Sequence, residues 1–148
     1  MCVMTDQHEM NANALAENHK KQLERMLADR FICQTIGIKL VEAGVGKAIA
    51  ELTIESKHLN GVGLCQGGVL FSLADYAWAA ASNYNEESVV SLDVSISYCR
   101  SATSGRLVAE AREINRTRST TVGDVVVRDE QGRTICLARA RGYVLQPR

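Results

Sequence analysis

Residues 69–83 read VLFSLADYAWAAASN, a segment apolar on nearly every side of a helix, with Asp75 its only formally charged residue. Alanine and leucine favour a helix here, and a helix greasy all round has to be enclosed by the rest of its fold. Immediately upstream, HLNGVGLCQGG over residues 58–68 is too rich in glycine for a regular element. It reads as a loop that positions backbone. The other segments must supply a wall around that one helix.

They have the pattern for it. Two extended candidates, residues 36–42 and 47–55, flank the turn AGVG, whose glycines tolerate the positive φ of a tight hairpin. In the second, Ala48, Ala50, Leu52 and Ile54 alternate with a mixed face, as in a half-buried antiparallel strand. Beyond Asn85 the period turns to two again, with Val90, Leu92, Val94, Ile96 and Tyr98 set against Ser91, Asp93, Ser95 and Ser97. Strands are also predicted at 107–114, 120–127 and 134–144. The short links SATSG, NRTRS and DEQG read as hairpin turns, giving an antiparallel meander. A curled antiparallel sheet around one long central helix is the economical α+β arrangement.

An extra amphipathic helix is expected over residues 13–30, with Leu15, Leu23, Met26 and Leu27 at helical spacing. Residues 1–12 are expected to be disordered, and 13–148 to form a single domain, well within the size of one compact core. Lys plus Arg and Asp plus Glu balance at 17 each, so no global positive field exists to draw in a nucleic acid. No apolar run approaches bilayer length and the first ten residues lack signal-peptide character. A cytoplasmic protein, neither nucleic-acid-bound nor membrane-bound, is the expectation. The five cysteines form no CxxC pair and the three histidines are scattered, His8 and His19 in a polar stretch. Reduced thiols and no metal site are expected.

Asp75 carries the chemistry. An uncompensated buried carboxylate is costly, and helical spacing puts Phe71, Ser72, Trp78, Ala79 and Ser82 on its face. Desolvation there pushes a carboxyl pKa upward, which suits a general base or nucleophile. Burial alone weighs equally for a structural aspartate hydrogen-bonded at a subunit contact. The Gly67–Gly68 pair tips the balance, because it stands where loop becomes helix and leaves bare N–H groups at a positive dipole end. A carbonyl polarised there and a carboxylate beside it are the parts of acyl transfer. Cys65 precedes the same helix end, with His58 near in sequence, but a small buried thiol is the favoured reading.

The run N60-G-V-G-L-C-Q66-G-G-V-L-F-S-L-A-D75 resembles the N-x(5)-H-G-G-x(6 or 7)-D signature of the phenylacetate-pathway (PaaI-type) hotdog thioesterases. The likeness extends over residues 36–144. It implies a hotdog fold, a homodimer joined sheet edge to sheet edge and assembling into a homotetramer, and active sites between protomers. By the same resemblance Asp75 is catalytic, the Gly67 N–H polarises the thioester carbonyl, Asn60 helps place water or the acyl carbonyl, and Ser91 contributes. Whether the carboxylate attacks directly or activates water differs among such relatives.

Gln66 stands where the family usually has His; its amide still donates and accepts, but it cannot titrate near neutral pH. The implied activity is hydrolysis of a small to medium acyl-CoA or aryl-CoA, with a non-catalytic acyl-CoA binding module as the alternative and a hotdog dehydratase a distant third. Coenzyme A enters as part of the substrate and no separate cofactor is implied. No nucleotide fingerprint is present, so surface cations are the candidates for its phosphates: Arg116 and Arg118, near where the family often shows Gly then a basic residue, and more weakly Arg100. Substrate-contacting positions are completed by Gln66, Gly68 and Ser91. Trp78 and Phe71 are candidates for the acyl pocket.

Overall fold

The computed structural model of the protein describes residues 4–85 and 87–146, with side chains from residue 16 onward. Cys2, Pro147 and the side chains of His8 and Leu15 lie outside the described residues. Helix α1 spans Met4–Leu27, starting earlier and ending earlier than the predicted 13–30. A single π-helical stretch, Phe31–Ile36, follows. It stops at Gly37, whose left-handed φ of 91° lets its N–H and that of Ile38 both reach the Ile32 carbonyl. Ile36 is therefore helical, and β1 begins only at Lys39.

Strands β1 (Lys39–Gly44) and β2 (Lys47–Thr53) form the expected hairpin. The central helix α2 (Gly67–Ser82) follows the glycine-rich loop. Strands β3 (Val89–Tyr98), β4 (Arg106–Arg116), β5 (Thr120–Arg128) and β6 (Thr134–Val144) complete one antiparallel sheet in the order β1-β2-β4-β5-β6-β3. That order corrects the meander. β4, β5 and β6 are joined by hairpins, but β3 lies outside β6, and residues 99–105 cross over to β4. β3 follows α2 directly and walls one flank of the helix, while β2 walls the other. The crossover is tied by Arg100 N–H to Ile135 O and by Cys65 N–H to Ala102 O.

The core lies between the concave face of the sheet and α2, where Leu73, Ala77 and Trp78 meet Ala109, Val125 and Val127, all 1% exposed or less. Trp78 fits because position 123 is glycine: a Cβ there would sit 2.2 Å from the indole and 2.4 Å from the Arg112 carbonyl. Enclosure of α2 is incomplete, however. The stripe Gly68, Ser72, Asp75, Ala79 is exposed or half-exposed, and α1 with the π-helical stretch lies alongside it. Among the described residues no helix is long and apolar enough to cross a membrane, and no group of three metal-ligating side chains is gathered.

β3 departs from the alternation read in the sequence. Ser91 pairs with Gly142 and Asp93 with Arg141, so Leu92 is an extra residue in the ladder. One inserted residue exchanges the faces of everything before it. Val94 and Ile96 pack on the core; Ser91, itself exposed, is turned to α2, where its hydroxyl meets Asp75, while Val90 and Leu92 are 46% and 56% exposed.

Candidate active site

The loop before α2 is held by its own backbone. The Asn60 carboxamide oxygen accepts from the N–H groups of Val62 (3.0 Å) and Leu64 (3.1 Å), and Asn60 N–H reaches Leu64 O at 2.7 Å. Asn60 thus shapes the loop, leaving its amide nitrogen free among the described residues. His58, 2% exposed, accepts from Glu55 N–H at Nδ1 (2.9 Å) and lies 2.7 Å from Ile36 O at Nε2. These two contacts fix the Nε2–H tautomer and tie the loop to the π-helical stretch. Both ring nitrogens being engaged, His58 is no partner for Cys65, whose thiol is buried and has its pKa raised by that burial.

Gln66 is the residue capping α2, extended at φ −60°, ψ 132°, exposed, and making no side-chain cap. A serine or aspartate there would occupy the first N–H groups of the helix. With glutamine, those of Gly67 and Gly68 donate to no protein group among the described residues. Tyr98, unremarked in the sequence beyond its place in a strand, lies across this end: its hydroxyl donates to Gly67 O at 3.0 Å, and a Cβ on Gly67 would sit 3.2 Å from its ring.

Asp75 is half-buried on the open stripe of α2. The Ser91 hydroxyl donates to its Oδ1 at 3.3 Å. Burial pushes the Asp75 carboxyl up from its ordinary pKa, and the Ser91 hydroxyl opposes that rise. The serines predicted on its helix face are engaged elsewhere, Ser72 with Gly68 O at 2.8 Å and Ser82 with Trp78 O at 3.0 Å. Trp78 turns to the sheet and leaves the pocket. A groove of about 410 Å³ opens at Asp75, between α2 on one side and α1 with the π-helical stretch on the other.

The cation candidates part company. Arg116 is built into the fold: its guanidinium donates to Ser82 O (3.0 Å) and Glu113 (2.9 Å) and stacks 4.9 Å over the Tyr84 ring. A cation on the last carbonyls of α2 complements the negative helix end. Tyr84 in turn donates to Glu113 at 2.6 Å, and burial with that carboxylate pushes its hydroxyl pKa to about 12. Arg116 is therefore withdrawn as a phosphate ligand. Arg118 and Arg100 are both exposed, Arg118 in the β4–β5 turn and Arg100 two residues beyond Tyr98.

The thioesterase superfamily model matches residues 62–136, the stretch that holds the helix end, Asp75 and Ser91. The chain belongs to the thioesterase superfamily. By that membership it is a thioester hydrolase, with the curled sheet and central helix of the hotdog fold. Among curated superfamily proteins it is 30% identical to the acyl-coenzyme A thioesterase PaaI of Escherichia coli strain K12 over 134 residues, 90% of this chain and 88% of that one. It is 32% identical to the 1,4-dihydroxy-2-naphthoyl-CoA hydrolase of Listeria monocytogenes over 109 residues, 72% of this chain and 89% of that one. The solved structure of the E. coli PaaI protein superposes with a TM-score of 0.83 at 28% identity, covering 89% of this chain and 96% of that one.

Proposed function

We propose that this protein hydrolyses the thioester of a small to medium acyl-CoA or aryl-CoA, giving free acid and coenzyme A, with Asp75 as the acting carboxylate. The observation that carries this reading is a half-buried carboxylate with a raised pKa, hydrogen-bonded to Ser91 and open to a groove. Whether Asp75 attacks the carbonyl or takes a proton from water, the net change is the same. Water is added across the C–S bond, its hydroxyl going to the acyl carbon and its proton to the leaving thiolate.

The carbonyl oxygen needs a donor as charge builds on it, and the Gly67 N–H is the candidate. Within one protomer, Gly67 and Asp75 are eight residues apart on one helix, ~12 Å along its axis. One carbonyl cannot touch both. The site is therefore completed by a second copy, and β3 is the place to join it: a ten-residue edge strand with exposed Val90 and Leu92, of the kind that invites another strand. Two β3 strands paired antiparallel would set the two α2 helices side by side and head to tail, bringing the Gly67 of each towards the Asp75 of the other. Gln66 and the Asn60 amide nitrogen would face the acyl carbonyl, and Arg118 and Arg100 the coenzyme phosphates. Pairing of dimers into a homotetramer and a cytoplasmic location complete the proposal.

Thiol release from a panel of CoA esters, followed with a chromogenic disulfide, tests it. Turnover should fall by about a thousandfold or more in Asp75→Ala; activity retained in that variant overturns the assignment. Acyl-CoA binding by the wild-type protein without thiol release would favour the binding module instead, and a Gln66→His variant that gains turnover would support that account.

A further inference from the structure

The start of α2 is fastened from outside by Tyr98. Tyr98 is the last residue of β3 and pairs with Cys136 of β6. The chain beyond it is pinned at once, since the N–H groups of Cys99 and Arg100 both reach Ile135 O, at 2.8 and 3.1 Å. From that fixed point the side chain lies over Gly67, with ring carbons 3.2 and 3.5 Å from where a Cβ would stand, and its hydroxyl donates to Gly67 O at 3.0 Å. Tyr98 remains 52% exposed, so core packing does not account for its placement. The carbonyl it holds belongs to the same rigid peptide plane as the Gly68 N–H. A hydrogen bond on that oxygen fixes the plane and draws electron density from the N–H on its other side, making it a stronger donor. Gly68 is exposed, a Cβ on it would meet nothing within 4 Å, and its N–H has no protein acceptor among the described residues. The preceding plane, which carries the Gly67 N–H, is held in the same sense: Gln66 O accepts from the N–H groups of Val69 (2.9 Å) and Leu70 (3.2 Å).

We propose that Tyr98 is a positioning residue for thioester hydrolysis, holding the Gly67–Gly68 peptide so that the Gly68 N–H joins the Gly67 N–H as a second donor to the carbonyl oxygen. The inference rests on the thioester-hydrolase reading and adds a residue to its site. As the carbonyl carbon is attacked, the π pair of the C=O bond moves onto oxygen, and it returns when the thiolate leaves. Two donors already fixed in place meet that charge without first having to turn. The charge is full only near the transition state, so the contribution of Tyr98 belongs to kcat rather than to substrate affinity. Burial raises the pKa of the Tyr98 hydroxyl above its ordinary value, and Cys136 adds to the rise. The hydroxyl therefore keeps its proton, and its bond to Gly67 O, across neutral pH.

Tyr98→Phe in the intact protein tests this, because it deletes the hydroxyl and keeps the ring over Gly67. For the best CoA ester of the panel, kcat should fall about three- to tenfold while KM stays within about twofold of wild type. The melting temperature should stay within about 2 °C, and the acid limb of the pH profile should not move, because Tyr98 acts on the helix end and not on Asp75. Infrared spectroscopy supplies a second readout. A hexanoyl-CoA isotope-labelled at its carbonyl and bound to Asp75→Asn should show its C=O stretch at lower frequency than in water, and shifted less when Tyr98→Phe is added. A Tyr98→Phe enzyme with wild-type kcat, a loss carried in KM, or a carbonyl band that the second substitution leaves unmoved overturns the role of Tyr98 and leaves the hydrolase reading standing. A wild type inert towards every ester overturns the hydrolase reading first, and this one with it.

Discussion

Ser91 donates its hydroxyl to the Asp75 carboxylate across 3.3 Å, and it reaches that position because Leu92, the next residue, is bulged out of the β3–β6 ladder. Ser91→Ala removes a contact that favours the charged form of Asp75. Its pKa should rise further, so the acid limb of the kcat/KM–pH profile should move to higher pH, with a loss at neutral pH of about tenfold or less. A limb that stays in place separates Ser91 from the carboxylate.

Asp75 costs stability. Its folded pKa is raised above the unfolded value, so in the window between the two the unfolded chain has released more of its proton than the native one. Stability is then complete below the unfolded pKa and declines as pH rises through the folded one. Asp75→Asn, inactive, should melt about 2–4 °C higher than wild type at pH 7, with the difference vanishing in acid. Differential scanning calorimetry at several pH values checks both parts.

Gly67 offers a direct test of the shared site. It is the first residue of α2, and Gln66 before it already has the extended conformation that proline demands of its predecessor. Gly67→Pro therefore removes the N–H at modest structural cost, with Tyr98 yielding a few tenths of an ångström. Turnover should fall by about a hundredfold or more. Mixing Gly67→Pro with Asp75→Ala protomers should restore about a quarter of wild-type activity at random pairing, because one of the two sites in each hybrid is intact. Mixtures of exchanging protomers that stay as inactive as their parents would show that no site combines the Gly67 of one chain with the Asp75 of the other.

Arg116 and Arg118 should respond in opposite ways. Arg116→Ala leaves Glu113 without its cation and uncaps α2, which should cost about 2–3 kcal/mol in urea denaturation. Arg118→Ala should leave stability within about 0.5 kcal/mol while raising KM for CoA esters about two- to fivefold. The reverse result would return the phosphate role to Arg116.

Gly123→Ala should be the most damaging single methyl. The added carbon collides with the Trp78 ring and with the Arg112 carbonyl at once, and neither backbone nor a buried indole moves freely. A loss of about 2–4 kcal/mol is expected by denaturant titration, with specific activity of the surviving folded fraction little changed.

The sequence by itself determined the sheet strands, the central helix and the placement of one acid on it, but not the π-helical stretch that begins at Phe31. One acid in an apolar helix, a glycine pair at that helix's start and period-two strands sufficed for the curled sheet, for Asp75 and for the unpaired N–H groups at Gly67 and Gly68. These are local signals, written in the period of hydrophobicity and the stereochemistry of glycine. Tertiary structure decided which groups meet. The serines that share a helix face with Asp75 spend their hydroxyls on helix carbonyls, and its partner comes from a strand sixteen residues on. A one-residue bulge has no compositional mark here, yet it turns Ser91 from the solvent face to the helix. Strand order was likewise hidden, since a seven-residue crossover and a hairpin loop read alike in sequence. Arg116 looked like a surface cation because nothing local reveals that a helix end, thirty-four residues earlier, will be waiting for its charge.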